Sequence, residues 1–204
     1  MSDSKAIEAR VESLCLAERY DEATAVLLRG FGAEILGVLV AMGRDDAQAA
    51  DAYSLFCERL WRGMPKFRFE SSCRTWAYTI AKRSLFDLLR RQRVAPDRPW
   101  SDSALPDVVQ AAASSTAPHV RTTYKRELHA VRETLSPEDQ LLLVLRIDKD
   151  LPWNDVARVL AEQDTPSTED IQRACIALRK RFSRAKKRLA DALRAQRALE
   201  RSKA

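Results

Sequence analysis

SSCRTWAYTIAKRSLFDLLRR, residues 71–91, decides the fold. It contains neither Gly nor Pro, and its apolar residues recur at helical spacing, so the stretch predicts a long helix. Outward from it, the apolar residues keep the same period from Ile7 to about Arg93. Gly43, Asp45 and Asp46 mark one turn and Pro65 marks another. Three or four helices in one domain are expected over residues 1–93.

Residues 94–119, VAPDRPWSDSALPDVVQAAASSTAPH, hold four of the eight prolines among Ser, Ala and Asp and show no sustained period, which predicts an extended linker. Helical periodicity resumes at Val120, passes through Leu128, Val131 and Leu135, and continues to Ala198, which predicts a second helical domain over 120–204. The scarcity of Gly, 5 in 204 residues, and the abundance of Ala, Leu, Arg and Glu favour helix nearly everywhere. The expected fold class is all-α, with two helical domains joined by an extended linker.

The net charge of +6 hides an alternation. Residues 1–60 carry −5, 61–93 carry +7, 94–130 are neutral, 131–170 carry −6 and 171–204 carry +10. Acidic then basic, twice over, suggests two modules that each present a basic face to a polyanion; solvated helix faces would give the same count. The four cysteines, at 15, 57, 73 and 175, form no Cys-x-x-Cys pair, and the two histidines, His119 and His129, do not complete a metal set. No cofactor or metal is expected. There is no glycine-rich phosphate loop and no Ser/His/Asp grouping, so an enzyme is not expected. The N-terminus lacks a signal pattern, and no apolar run is expected to approach the ~20 residues of a bilayer span. A cytoplasmic protein without membrane insertion is the expectation.

In the second domain, Ser136-Pro137-Glu138-Asp139 supplies an N-cap, a Pro at the first helical position and acids in the first turn. A break at Asp148 to Leu151 precedes Pro152-Trp153-Asn154-Asp155, which opens another helix, so a helix-turn-helix begins here. The next helix starts near Thr168. Its residues Ile171, Cys175, Leu178, Phe182, Ala185 and Leu189 form one apolar stripe, while Arg179, Lys180, Arg181, Arg184, Lys186, Lys187 and Arg188 make seven cations in ten residues. Such a helix fits the major groove of DNA.

In the first domain, residues 53–86 hold eight of the fourteen aromatics, interleaved with cations, which suits an unpaired nucleic-acid strand. Trp61, Trp76 and Phe86, like most large rings on helices, are expected to pack inward.

The order of these residues resembles a known family. Asp51 to Trp61, Pro65-Lys66-Phe67 and Ser71 to Arg91, with Trp-x-x-x-Ile-Ala followed by Asp-x-x-Arg-Arg, are similar to region 2 of sigma factors of the extracytoplasmic-function group. Leu135-Ser136-Pro137-Glu138, Leu151 to Ala157 and Ala177 to Leu189 resemble region 4 of the same group. The resemblance implies core RNA polymerase as partner, through its β′ clamp and β flap, and promoter DNA as the second. It implies that Asp51, Ser54, Leu55, Glu58 and Arg59 face the polymerase. The −10 element would be met by the loop Phe67 to Ser72 and by Lys66, Arg74, Thr75, Trp76, Lys82, Arg83, Asp87, Arg90 and Arg91. The −35 element would be met by Arg179, Lys180, Arg181, Arg184, Lys186, Lys187 and Arg188. An anti-sigma factor is typical of the group, although no residue here demands one.

Three departures qualify the transfer. Arg83 stands where the group commonly has Asn, and Ser54 where it has Gln. About ten extra residues, within Glu162 to Ile176, precede the recognition helix, which is expected to lengthen it by about two turns, or ~10 Å. Either Thr168 to Arg173 then read the DNA, or the helix docks lower along its length, which the acids Glu169 and Asp170 favour. A helix-turn-helix regulator without polymerase would explain the second domain but not the first. An RNA-binding or scaffold protein would use both basic faces.

Overall fold

The computed structural model describes residues 2–43, 45–94, 135–163 and 165–201. Those residues are helical and turn structure with no strand among them, as the composition predicts. They fall into two compact units. The first holds α1 (Ser2–Leu16), α2 (Tyr20–Met42), α3 (Asp46–Gly63), a 3₁₀ turn (Met64–Lys66) and α4 (Cys73–Val94). The second holds α5 (Pro137–Leu143), a widened π-type turn (Val144–Asp148), α6 (Trp153–Leu160) and α7 (Thr168–Arg201). Most of the expected linker and the periodic residues Val120, Leu128 and Val131 lie outside the described residues.

The first unit is organised by α2, against which α1, α3 and α4 all pack. Leu27, Ile35 and Leu39 are fully buried, and Phe31, Leu36, Val38 and Met42 nearly so. This helix corrects one expectation: its 23 residues are long and apolar enough, by length and composition, to cross a bilayer. Buried contacts with three neighbours account for that composition instead, as in the core helix of a helical bundle. Close approach is permitted by Gly32, where a Cβ would lie 2.6 Å from the Tyr53 hydroxyl of α3.

Local caps set the helix starts. The Asp45 carboxylate accepts from the Gln48 amide at the head of α3, the Ser136 hydroxyl accepts from the Asp139 amide at the head of α5, and the Ser167 hydroxyl accepts from the Asp170 amide at the head of α7. The Asp170 carboxylate accepts in return from the Ser167 amide, closing a reciprocal capping box. The head of α4 is held differently. Ser72 accepts from the Thr75 amide, and the carboxylate of Glu8, from α1, accepts from the Cys73 and Arg74 amides at 2.8 and 3.2 Å. A negative charge at a helix N-terminus satisfies orphan donors and complements the helix dipole.

In the second unit α7 packs on α5 and α6 through the expected stripe. Ile171, Cys175, Leu178 and Ala185 are buried, and Phe182 and Leu189 pack with Leu135, Leu143 and Ala185. Arg181 fastens the other edge of α7 to α5 through Asp139, Glu138 and Ser136.

Three outcomes follow. Glu8→Gln removes the charge that holds the head of α4, and urea denaturation is expected to show a loss of about 1–2 kcal/mol. Asp139→Ala leaves Arg181 without its most buried partner and is expected to cost about 1–3 kcal/mol, read from the unfolding of the second unit. Burial pushes the Cys57 thiol up to about 11 and the Cys73 thiol well above its ordinary value. Both should therefore react with a thiol reagent at pH 8 much more slowly in the native protein than in urea, because the thiolate is the reacting form.

Candidate nucleic-acid interface

The aromatic residues after α3 form a local cluster at the loop that precedes α4. Phe67 stacks on Trp76, with ring centres 4.3 Å apart, and Phe69 tilts against Phe67 at 4.5 Å. Phe69 has φ 56°, a left-handed conformation that bulky residues rarely adopt. Strain of this kind persists only where surroundings enforce it, and here the Phe67 ring, itself stacked on Trp76, packs against Phe69. Lys66 and Arg68 flank the cluster and are exposed.

The expected residues on α4 play several parts. Thr75 is buried, its hydroxyl bonded to that of Ser72 at 2.8 Å. Arg74 forms a bidentate pair with Glu34 of α2, and its guanidinium lies 5.7 Å from the centre of the Tyr78 ring. These two residues build the platform more than they extend from it. Trp76 is half-buried with one face covered by Phe67, and Lys82 and Arg83 are half-buried farther along the helix. Arg90 and Arg91, near its end, are exposed.

Asp87 and Arg59 were assigned to different surfaces by resemblance, and the structure joins them in a salt bridge of 2.7 Å that ties α3 to α4. The remaining members of the α3 set lie outside the buried stripe of Ala49, Ala52, Tyr53, Phe56 and Leu60. Asp51, Ser54 and Leu55 are half-exposed, and Glu58 is exposed and paired with Arg62 at 2.9 Å. Burial, with a smaller contribution from Asp45, raises the Asp51 carboxyl above its ordinary value.

Trp61 overturns its expectation. It is 54% exposed, and its indole N–H donates to Asp21 at 2.6 Å. The signal was present in the spacing: Trp61 follows Leu60, which closes the inward stripe of α3, and lies about 100° off it. Phe86 is half-buried on α4.

The seven cations of α7 divide into three rows. Arg179 and Lys186 lie on one flank, over the rings of Trp153 (5.7 Å) and Phe182 (5.5 Å). Trp153 also receives Arg146 at 5.0 Å and meets Phe182 edge-on at 5.5 Å, so α6 and the π-type turn are pinned to the same flank. Arg181 lies on the opposite flank, engaged with Asp139 and Glu138, and Arg188 continues that side exposed. Lys180, Arg184 and Lys187 form the outward row and are exposed. Of the stretch 162–176 that carries the extra residues, positions from 168 onward belong to α7 and those before it to the connection from α6. The acidic cap stands at the head of α7, where hydrogen bonds from Ser167 and the nearby Arg173 hold the Asp170 carboxyl below its ordinary value.

Two comparisons bear on these surfaces. The family description of sigma-70 region 2 matches residues 27–94, which run from within α2 to the end of α4. The co-crystal structure of the sigma factor RpoE with the anti-sigma factor NepR from Bartonella quintana is similar in fold, with a TM-score of 0.57 at 16% identity, over 87% of this chain and 98% of that one. No curated protein matches the sequence. The aromatic loop, the exposed side of α3 and the cations of α4 all fall within the matched stretch. Residues 27–94 thus match sigma-70 region 2, within a chain whose fold is similar to that of the sigma factor in that co-crystal structure.

Proposed function

We propose that the first unit uses the outer side of α3, through Asp51, Ser54, Leu55, Glu58 and Arg59, to bind the β′ clamp of core RNA polymerase, and uses the loop and α4 to engage an opened −10 element. The observation that carries this reading is the coincidence of the region 2 match with the unit that holds both surfaces. Lys66, Arg90 and Arg91 are exposed, and the Phe67 and Trp76 stack gives a preformed aromatic wall in the same unit. Arg74, Thr75 and Asp87 support that wall through Glu34, Ser72 and Arg59. Lys82 and Arg83 lie between the two groups, with Arg83 replacing the Asn common in the group.

The second unit, in this reading, meets the β flap and places α7 in the major groove at the −35 element. Lys180, Arg184 and Lys187 point into it, while Arg179, Lys186 and Arg188 reach phosphates from the sides. Arg181 anchors the helix to α5. The acidic cap at Ser167 to Asp170 favours docking along the length of the helix rather than at its tip, since the carboxylates would repel phosphates. The chain acts without chemistry of its own, in the cytoplasm where its polymerase works. An anti-sigma factor is a further partner of this reading, because the structurally similar sigma factor was crystallised with one.

Retention of core RNA polymerase on the immobilised chain, together with run-off transcription that depends on added chain, tests this reading against a regulator that acts without polymerase. Arg184→Ala combined with Lys187→Ala is expected to weaken promoter binding and to flatten its salt dependence by roughly one to two charges. Arg181→Ala should leave that slope unchanged and lower thermal stability instead. An unchanged slope in the double variant would mean that the outward row faces solvent.

A further inference from the structure

Ile176 is 59% exposed, although it sits on a helix whose side chains Ile171, Leu178, Phe182 and Leu189 turn inward. The buried stripe of α7 runs through Ile171, Cys175, Leu178 and Ala185. Ile176 comes two residues before Leu178, which at about 100° per residue places it on the far side of the helix. Its neighbours one turn away are Arg173 toward the N-terminus and Lys180 toward the C-terminus, both exposed, and Arg184 and Lys187 continue the line. The outward row therefore reads cation, isoleucine, cation, cation, cation.

Phosphates account for the cations of such a row and not for the isoleucine, which gains nothing from an anion. The floor of a major groove offers one apolar group, the C5 methyl of thymine. Lys180, one turn toward the C-terminus, would reach phosphates or guanine edges and hold the helix close enough for a short branched side chain to touch a base edge, while Arg173 on the other side is paired with Asp170. Isoleucine suits that contact, since its β-branch leaves few rotamers to lose. The position also suits docking along the length of the helix, since the third turn of α7 lies beyond the acidic cap at its head.

We propose that Ile176 is a specificity-determining residue of the duplex-reading helix and selects thymine by packing on its methyl group. The inference rests on the reading of α7 as the −35 reader.

The experiment uses holoenzyme reconstituted from core RNA polymerase and the full chain, which selects duplexes from a randomised pool. In the selected duplex each thymine is then replaced in turn by deoxyuridine, which deletes the methyl and keeps the hydrogen-bonding edge. At one −35 thymine the replacement is expected to weaken wild-type binding about three- to fivefold, the worth of one buried methyl. Ile176→Ala should bind the thymine duplex more weakly by a similar factor and ignore the replacement. Ile176→Val should keep most of the preference, and Lys180→Ala should weaken both duplexes alike. If Ile176→Ala keeps the wild-type response to deoxyuridine at every position, or the wild type has none, the inference is overturned and the promoter reading stands. If the Arg184→Ala, Lys187→Ala variant selects the same −35 sequence with the same affinity as wild type, the reading of α7 falls, and the inference with it.

Discussion

The head of α4 is the constraint on which the first unit depends. Two backbone amides there meet a carboxylate from a distant helix, and Arg74, just inside, reaches the carboxylate of Glu34 on α2. Three helices are thereby tied to a single turn of backbone. The direction in which α4 leaves that turn sets the position of Trp76 under Phe67, the bend at Phe69 and the row of arginines at its far end. The Arg59 to Asp87 pair then fixes the rotation of α3 against α4. The surface read as facing polymerase and the surface read as facing DNA are consequently parts of one rigid arrangement, linked by side chains that belong to both.

The second unit reaches rigidity by another route. Its long helix is gripped from both edges, on one side by rings and on the other by acids. Trp153 gathers Arg146 and Arg179 on its faces, while Asp139 and Glu138 receive Arg181. Arg179, Lys186 and Arg181 thus serve as fasteners on the flanks, while Lys180, Arg184 and Lys187 face outward along the middle row. A helix intended to enter a groove gains from this arrangement, since its orientation is settled before any polyanion arrives.

Much of the architecture was legible in the residues because helical periodicity is a local property. The stripe Ile171, Cys175, Leu178 and Ala185 becomes the buried side of α7, and Ser136 caps the helix it was expected to cap. Pairings between distant elements were not legible. Nothing in the order of residues joins Glu8 to Cys73, Arg59 to Asp87 or Arg181 to Asp139, since each pair is chosen by how helices cross. Charge counting therefore grouped seven cations on α7 that the fold separates into three rows. The π-type turn at Val144 to Asp148 was hidden for a similar reason: its apolar run continues that of α5, and the widening shows only in the backbone bond from Lys149 to Val144. Trp61 was misjudged by residue type, where spacing alone would have placed it outward.

The apolar character of α2 has a consequence for how the chain is made. During synthesis α2 leaves the ribosome before α3 and α4, the two helices that cover much of it, so for some seconds the nascent chain presents a long apolar helix with only α1 for company. In that interval its length and composition are those of a helix able to cross a bilayer. Arg29 and Glu34, one exposed and the other later paired with Arg74, are the charges that break the apolar run in its middle. Charged groups at such positions raise the cost of placing the helix in lipid.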